Sequence, residues 1–225
     1  MNVVLVGATG MIGSLLLKVL LQKSYINSVT VLTRKPLNFT DPKMTVHVVD
    51  FDNLQHIEKS FDQVDVIFSC VGTTQSQVKG DKTLYRKVDH DIPVNVAQAG
   101  LRKGAKKFIL VSSVGADKSS GNFYLKLKGE VEFKLSSLGF DTVYFFRPSL
   151  LMGERKESRL MEGVMKSVMR FAGLALLGGL SKYKAIEASD VAEAMAEAAH
   201  AEKTGIHILH YDLIRSMAEA GMDHR

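Results

Sequence analysis

Short apolar runs alternate along this chain with longer stretches of helical periodicity. The runs are "VVLV" (3–6), "VTVL" (29–32), "TVHVV" (45–49), "VDVIFS" (64–69), "KFILVS" (107–112) and "TVYFF" (142–146). Each is rich in Val, Ile or Phe and is mostly continuous rather than alternating in polarity. Runs of that kind are strands covered on both faces, so they predict a parallel sheet. Between the first two lies "MIGSLLLKVLLQKS" (11–24), apolar nearly all round, which predicts a helix packed between the sheet and an outer layer. "TLYRKVDHDIPVNVAQAGLRKG" (83–104) is amphipathic, and Pro93, lacking an amide hydrogen, predicts a break or restart within it. No internal repeat or low-complexity linker interrupts the pattern. The expectation is an α/β fold: a doubly wound, mostly parallel sheet in one domain over 1–225, with right-handed crossovers. A length of 225 residues and a 46% hydrophobic fraction suit one such core.

After the sixth run the chain leaves the carboxyl edge of the sheet through "RPSLLMGERKESR" (147–159) and enters a Met-rich stretch. Met161, Met165 and Met169 recur every four residues and form one helical stripe. Methionine is flexible and suits a pocket that adapts to several apolar shapes. Arg155, Lys156 and Arg159 are placed to hold an acidic substrate group, and Gly178 and Gly179 to act as hinges. Residues 150–183 are therefore expected to be a small substrate-covering lid over a largely apolar pocket, with a static core helix as the competing reading. Glu162, Lys166 and Arg170 make the stretch a poor transmembrane segment.

The first strand runs into "GATGMIG" (7–13). Between a strand and a helix each glycine has a physical task. Gly7 permits the sharp turn, Gly10 lets the backbone approach a pyrophosphate, and Gly13 lets the helix pack close to the strand. The helix amino terminus then offers free N–H groups to phosphate. The spacing is G-x-x-G-x-x-G rather than G-x-G-x-x-G. The second strand ends at Arg34 and Lys35, where a carboxylate would bind the ribose 2′-OH of NAD; a guanidinium there suits the 2′-phosphate of NADP. Asp50 and Phe51, at the end of the third strand, are candidates to hold adenine by hydrogen bond and by packing.

Tyr124 and Lys128 lie four apart on a predicted helix and share a face. A neighbouring ammonium favours the phenolate, which makes Tyr124 a proton donor and acceptor near neutral pH. Ser112 and Ser113 follow the fifth strand, at the edge where ligands bind in such sheets, and either could hydrogen-bond a substrate carbonyl.

Charge and composition narrow the partners. The net charge is +5, from 29 Lys and Arg against 24 Asp and Glu, and the basic residues are spread out. The densest cluster, "RKGAKK" (102–107), reads as cations at a helix carboxyl end, not as a nucleic-acid surface. The single cysteine, Cys70, excludes an intrachain disulfide and reads as an apolar filler. His207 and His210, in "HILH", suggest a strand end and have no third ligand nearby in sequence, so no metal is expected. "MNVVLVGATG" lacks a basic leader and a long apolar run. These features set the expectation of a cytoplasmic protein.

The glycine triplet, the Ser–Tyr–Lys set and the strand–helix order resemble the short-chain dehydrogenase/reductases. "GTT" (72–74), "SSVGADKSS" (112–120), "YLKLKGEVE" (124–132), "FRPSLLMGERKESR" (146–159) and "ASDVAEAM" (188–195) are similar to the atypical members of the Tat-interacting protein 2 family. The resemblance implies a Rossmann fold and NADP(H). It places Gly7, Thr9, Gly10, Met11, Ile12 and Gly13 along the pyrophosphate and Arg34 on the 2′-phosphate. It places Cys70, Val71 and Gly72 near the adenine or its ribose. Tyr124 and Lys128 then reach the nicotinamide ribose, and Arg147, Pro148 and Ser149 flank the nicotinamide. It favours Ser113 over Ser112 as the active serine. Many extended members carry an asparagine in the helix before the fifth strand; here, in "VDHDIPVN", Asp89 or Asn95 would stand in. The function expected is an NADP(H)-dependent oxidoreductase acting on a carbonyl or alcohol. The alternative is an NADP(H)-sensing regulator that works through a protein partner. A sugar-nucleotide epimerase is a weaker reading, since the region after 150 is short for such a site.

Overall fold

The computed structural model describes residues 1–153 and 178–222. In chain order the elements are β1 (Asn2–Val6), α1 (Met11–Gln22), β2 (Ser28–Thr33), β3 (Met44–Val48), α2 (Leu54–Glu58), β4 (Val66–Ser69) and α3 (Lys82–Arg86). A π-helical turn (Lys87–Asp91) follows, then α4 (Ile92–Arg102), β5 (Lys107–Val111), α5 (Phe123–Ser136) and β6 (Thr142–Phe146). The last part holds β7 (Leu151–Met152), a 3-10 turn (Gly178–Tyr183), β8 (Ile186–Glu187), α6 (Ala188–His200), β9 (Gly205–Leu209) and α7 (Tyr211–Met222).

Seven strands pair in the order β3-β2-β1-β4-β5-β6-β9, and every pairing is parallel. The chain winds outward from β1 to β3, then returns to the other side of β1 and winds outward again. The reversal lies between β1 and β4, where Val3–Val6 run in register with Val66–Ser69. This is a Rossmann-type, doubly wound sheet, and its ligand crevice lies at that reversal, beyond the carboxyl ends of the strands.

Strand side chains alternate between two apolar layers. Val3 and Leu5 join Leu16, Leu20, Phe68, Phe146 and Met195 on the α1/α6 side. Val4 and Val6 join Ile67, Val96, Phe108, Val131 and Phe145 on the α4/α5 side. Burial on both faces is why these strands read as unbroken apolar runs. The edge strand β9 contains most of "HILH"; Ile206 and Ile208 stay exposed at that edge.

The stretch around Pro93 restarts rather than breaks: α3 and the π turn run on without a gap into α4, which begins at Ile92 with Pro93 in its first turn. In α geometry the Pro93 ring would press on the Asp89 carbonyl. The wider π turn precedes it and leaves the Asp89 side chain buried. The "RKGAKK" cluster does hold a helix carboxyl end, with Arg102 in the last turn of α4 and Lys103 as its cap, and it also reaches beyond that end. Arg102 pairs with Glu58, while Lys107 Nζ donates to the carbonyls of Ala198, Ala199 and Ala201, capping α6 from across the fold. Burial lowers the Lys107 ammonium from the usual lysine range. The lid residues Arg155, Lys156, Arg159, Met161, Met165 and Met169, and the charges Glu162, Lys166 and Arg170, lie outside the described residues.

Candidate functional site

The loop after β1 has little freedom. Gly7 sits at φ +85, and a Cβ there would lie 2.6 Å from the Cys70 carbonyl carbon and oxygen. A Cβ on Gly13 would lie 2.1 Å from the Gly7 oxygen. Between them Gly10 donates its N–H to Gly7 and precedes α1, which has no side-chain cap and no acid in its first turn. The free amides and positive end of this helix thus open toward the crevice with nothing of the described chain to satisfy them, the setting in which backbone binds phosphate. The residues fit a dinucleotide pyrophosphate. Ile12 and Gly13 are buried behind the loop and Met11 is half-buried, while Thr9 is exposed.

A cleft of about 600 Å³ extends from this loop along the carboxyl ends of β1, β2, β3 and β4. Its lining includes Gly7, Thr9, Gly10, Arg34, Asp50, Phe51, Cys70, Val71, Gly72 and Thr73. Arg34 is exposed on its wall and has no hydrogen bond or ion pair among the described residues. The turn that presents it is closed by Thr33, whose Oγ1 donates to the Lys35 carbonyl and accepts from the Lys35 amide. Lys35 itself is exposed beside the cleft, not in its lining. The Asp50 carboxylate accepts from the Asp52 amide, and Asn95 Nδ2 donates to the Phe51 carbonyl at 2.9 Å. Asn95 is therefore occupied on the β3 side of the cleft. Burial pushes the Cys70 thiol well above its ordinary range.

Tyr124 and Lys128 lie on the first half of α5, whose amino end is capped by Asn122. Lys128 is buried, and its Nζ stands 5.9 Å from the centroid of the half-buried Tyr124 ring. The Tyr124 hydroxyl has no hydrogen bond among the described residues. Lys128 Nζ faces Asp89 Oδ1 at 2.9 Å, with the two side chains 4% and 1% exposed. Burial alone would push the Lys128 ammonium down; Asp89 and Tyr124 outweigh it and hold it above the usual lysine range. The second Asp89 oxygen accepts the Thr73 amide at 2.8 Å, and Tyr85 donates to the Thr73 carbonyl. Thr73 lines the cleft. The cleft wall and the Tyr124–Lys128 pair are thus joined through one carboxylate.

The two serines after β5 differ. The Ser112 hydroxyl is buried and donates to Glu132, which also takes both arms of the Arg147 guanidinium. Ser113 is half-buried with only a 3.3 Å contact to the Val114 carbonyl. Ser113 is the hydroxyl left available to a ligand, while Ser112 and Arg147 are committed to Glu132. Pro148 accepts the Val114 amide and Ser149 donates to the Lys184 carbonyl, which ties the end of β6 to its surroundings. Sequence reasoning passed over Glu132 and Thr73. A signal for the first was present: Tyr124, Lys128 and Glu132 recur every four residues along one helix face.

Residues 7–137 match the NAD(P)H-binding family. The chain is 39% identical over 161 residues to the protein HTATIP2 of Rattus norvegicus, covering 70% of this chain and 66% of that one, just under two thirds of its length. It is 36% identical over 205 residues to the mitochondrial protein fmp52 of Aspergillus niger, covering 88% of this chain and 86% of that one. Among solved structures, MoeE5 in complex with UDP-glucose and NAD superposes with a TM-score of 0.70 at 16% identity, covering 98% of this chain and 82% of that one; it shares the fold. The expectation of a cytoplasmic location is overturned by the fungal relatives, which are named mitochondrial in Aspergillus niger, Candida albicans and Aspergillus clavatus. One cysteine reports redox conditions, not an address. No described helix is long and apolar enough to cross a membrane. By the extent of these matches, the chain belongs to the NAD(P)H-binding family and is a relative of HTATIP2 and FMP52.

Proposed function

We propose that this protein is an NADP(H)-dependent oxidoreductase that interconverts a carbonyl and an alcohol. The observation that carries the reading is Lys128: a buried ammonium, paired with Asp89, beside the ring of Tyr124, whose hydroxyl has no hydrogen bond among the described residues. The glycine loop and the amino end of α1 hold the pyrophosphate. Arg34, unpaired among the described residues on the cleft wall, takes the 2′-phosphate and selects NADP over NAD. Bound there, a nicotinamide supplies the hydride chemistry. Ser113 donates a hydrogen bond to the substrate oxygen. Tyr124 gives that oxygen its proton in reduction and takes it back in oxidation, and the Lys128 charge favours the phenolate that remains.

Gly153 stands beside Met11 at the amino end of α1 and beside Ala188 at the start of α6, and β7 pairs with β8. The names of the fungal relatives support a mitochondrial setting.

The test is NADPH oxidation against a panel of aldehydes, ketones and quinones. Tyr124→Phe is expected to keep NADPH affinity and lose about 100-fold or more in turnover, the scale of a lost general acid. Turnover by Tyr124→Phe equal to the parent protein would refute the assignment. NADPH binding with no turnover of any panel member would favour a cofactor-sensing regulator.

A further inference from the structure

The buried carboxylate of Asp89 serves two groups at once. One oxygen faces Lys128 Nζ at 2.9 Å and the other accepts the Thr73 amide at 2.8 Å. Thr73 belongs to the cleft wall, and Lys128 stands beside the Tyr124 ring. Asp89 itself sits in the π turn, a wide turn of the kind often found at functional positions. We infer that Asp89 is a positioning residue that keeps Lys128 charged and in place and ties it to the wall of the cofactor cleft. The inference rests on the oxidoreductase reading for its purpose, but not for its test.

An ammonium this deeply buried loses its hydration, and without a counter-charge it favours the neutral amine. Among the described residues the charged and titratable groups around Lys128 are few. Tyr124 and Glu132 lie on its own helix, Asp89 on the π turn, and Tyr85 on α3 faces Asp89. Glu132 is already taken by Arg147 from the end of β6 and by Ser112 from the end of β5. Asp89 is thus the one carboxylate among the described residues in direct contact with Lys128. Removing its charge while keeping its shape removes the reason for Lys128 to stay protonated. It also loosens Thr73, because an amide offers that N–H a weaker acceptor than a carboxylate.

The experiment uses the full chain labelled with ¹³Cε-lysine, the Lys128 resonance being assigned by its loss in Lys128→Met. In the parent protein that resonance should stay at its charged position up to pH 10. In Asp89→Asn it should titrate about two pH units lower or more, as buried lysines without a partner do. NADPH affinity, read by fluorescence titration at pH 7.5, should fall in Asp89→Asn and in Lys128→Met. It should fall no further in the double variant, because linked groups are not additive. If Asp89→Asn fails to fold, Asp89→Asn/Lys128→Met is expected to fold, since removing both buried charges leaves none unpaired. An unchanged Lys128 titration in Asp89→Asn, additive losses of NADPH affinity, or failure of both variants to fold would each overturn the inference. None of these readouts needs a substrate, so a failure of the oxidoreductase reading, seen as absent turnover, stays distinguishable from a failure of this one.

Discussion

Gly13 offers the sharpest test of how the cofactor loop is built. Gly13→Ala adds one carbon, 2.1 Å from the Gly7 oxygen, 2.8 Å from the Gly7 carbonyl carbon and 3.2 Å from Ala8 Cα. All three are backbone, so no rotamer change relieves the overlap. Alanine gains about 0.5–1 kcal/mol over glycine inside a helix. Against that, forcing a carbon into a packed site costs about 1–3 kcal/mol. Here the cost belongs at the upper end, because α1 must back away from β1 and disturb the packing of Ile12 and Leu16. The net expectation is a loss of about 1–2 kcal/mol. The same shift opens the turn in which Gly10 donates to Gly7, so the phosphate cradle goes with it. The assay is urea unfolding with and without NADPH, with Gly121→Ala as control, since a Cβ on Gly121 meets nothing within 4 Å. A ligand at 100 times its Kd stabilises the folded state by about 2.7 kcal/mol. The parent protein and Gly121→Ala should show that gain, and Gly13→Ala should start lower and lose most of it. A Gly13→Ala protein as stable as the parent, with the full NADPH gain, would refute the reasoning.

Two further outcomes are expected. Arg34→Ala should weaken NADPH by about 1.5–3 kcal/mol, the range for a hydrogen bond to a charged group, and leave NADH nearly unchanged; equal losses in the two titrations would remove Arg34 from the 2′-phosphate. Burial, aided by Arg147 and Lys182, holds the His210 imidazolium below its ordinary range. The unfolded chain therefore takes up this proton first, and the contribution of neutral His210 is whole above about pH 6.5 and is lost as the pH falls below it. His210→Gln should flatten the fall in unfolding midpoint between about pH 6.5 and 5, and an identical acid limb would show that His210 does not carry it.

Local chemistry was legible without coordinates. The central strands could be read because burial on both faces demands continuous apolar runs, though the edge strand β3 is left partly exposed, and the glycine loop because a tight strand–helix turn excludes Cβ atoms at set positions. The pairing of Tyr124 with Lys128 on one face follows from helical spacing alone. By contrast, the sequence left a break or a restart open at Pro93, and only the structure shows a restart through a π turn, since a π turn looks like α-helix in its residue types. Lys107 was read as dressing its own neighbourhood, yet it caps a helix formed by residues 188–200.

Tertiary structure decided which of two similar residues is already engaged. Ser112 and Ser113 are neighbours of one type, and only the approach of Glu132 and Arg147 occupies the first. Asp89 and Asn95 lie in one helical stretch, yet Asp89 faces Lys128 and Asn95 faces the Phe51 carbonyl. A sequence determines what a residue can do within its own turn or strand, because backbone sterics and periodicity act over a few residues. Which partner spends or frees a hydroxyl, an ammonium or a carboxylate is a long-range outcome. It depends on how helices distant in sequence pack across the sheet, where burial favours arrangements in which polar groups find partners.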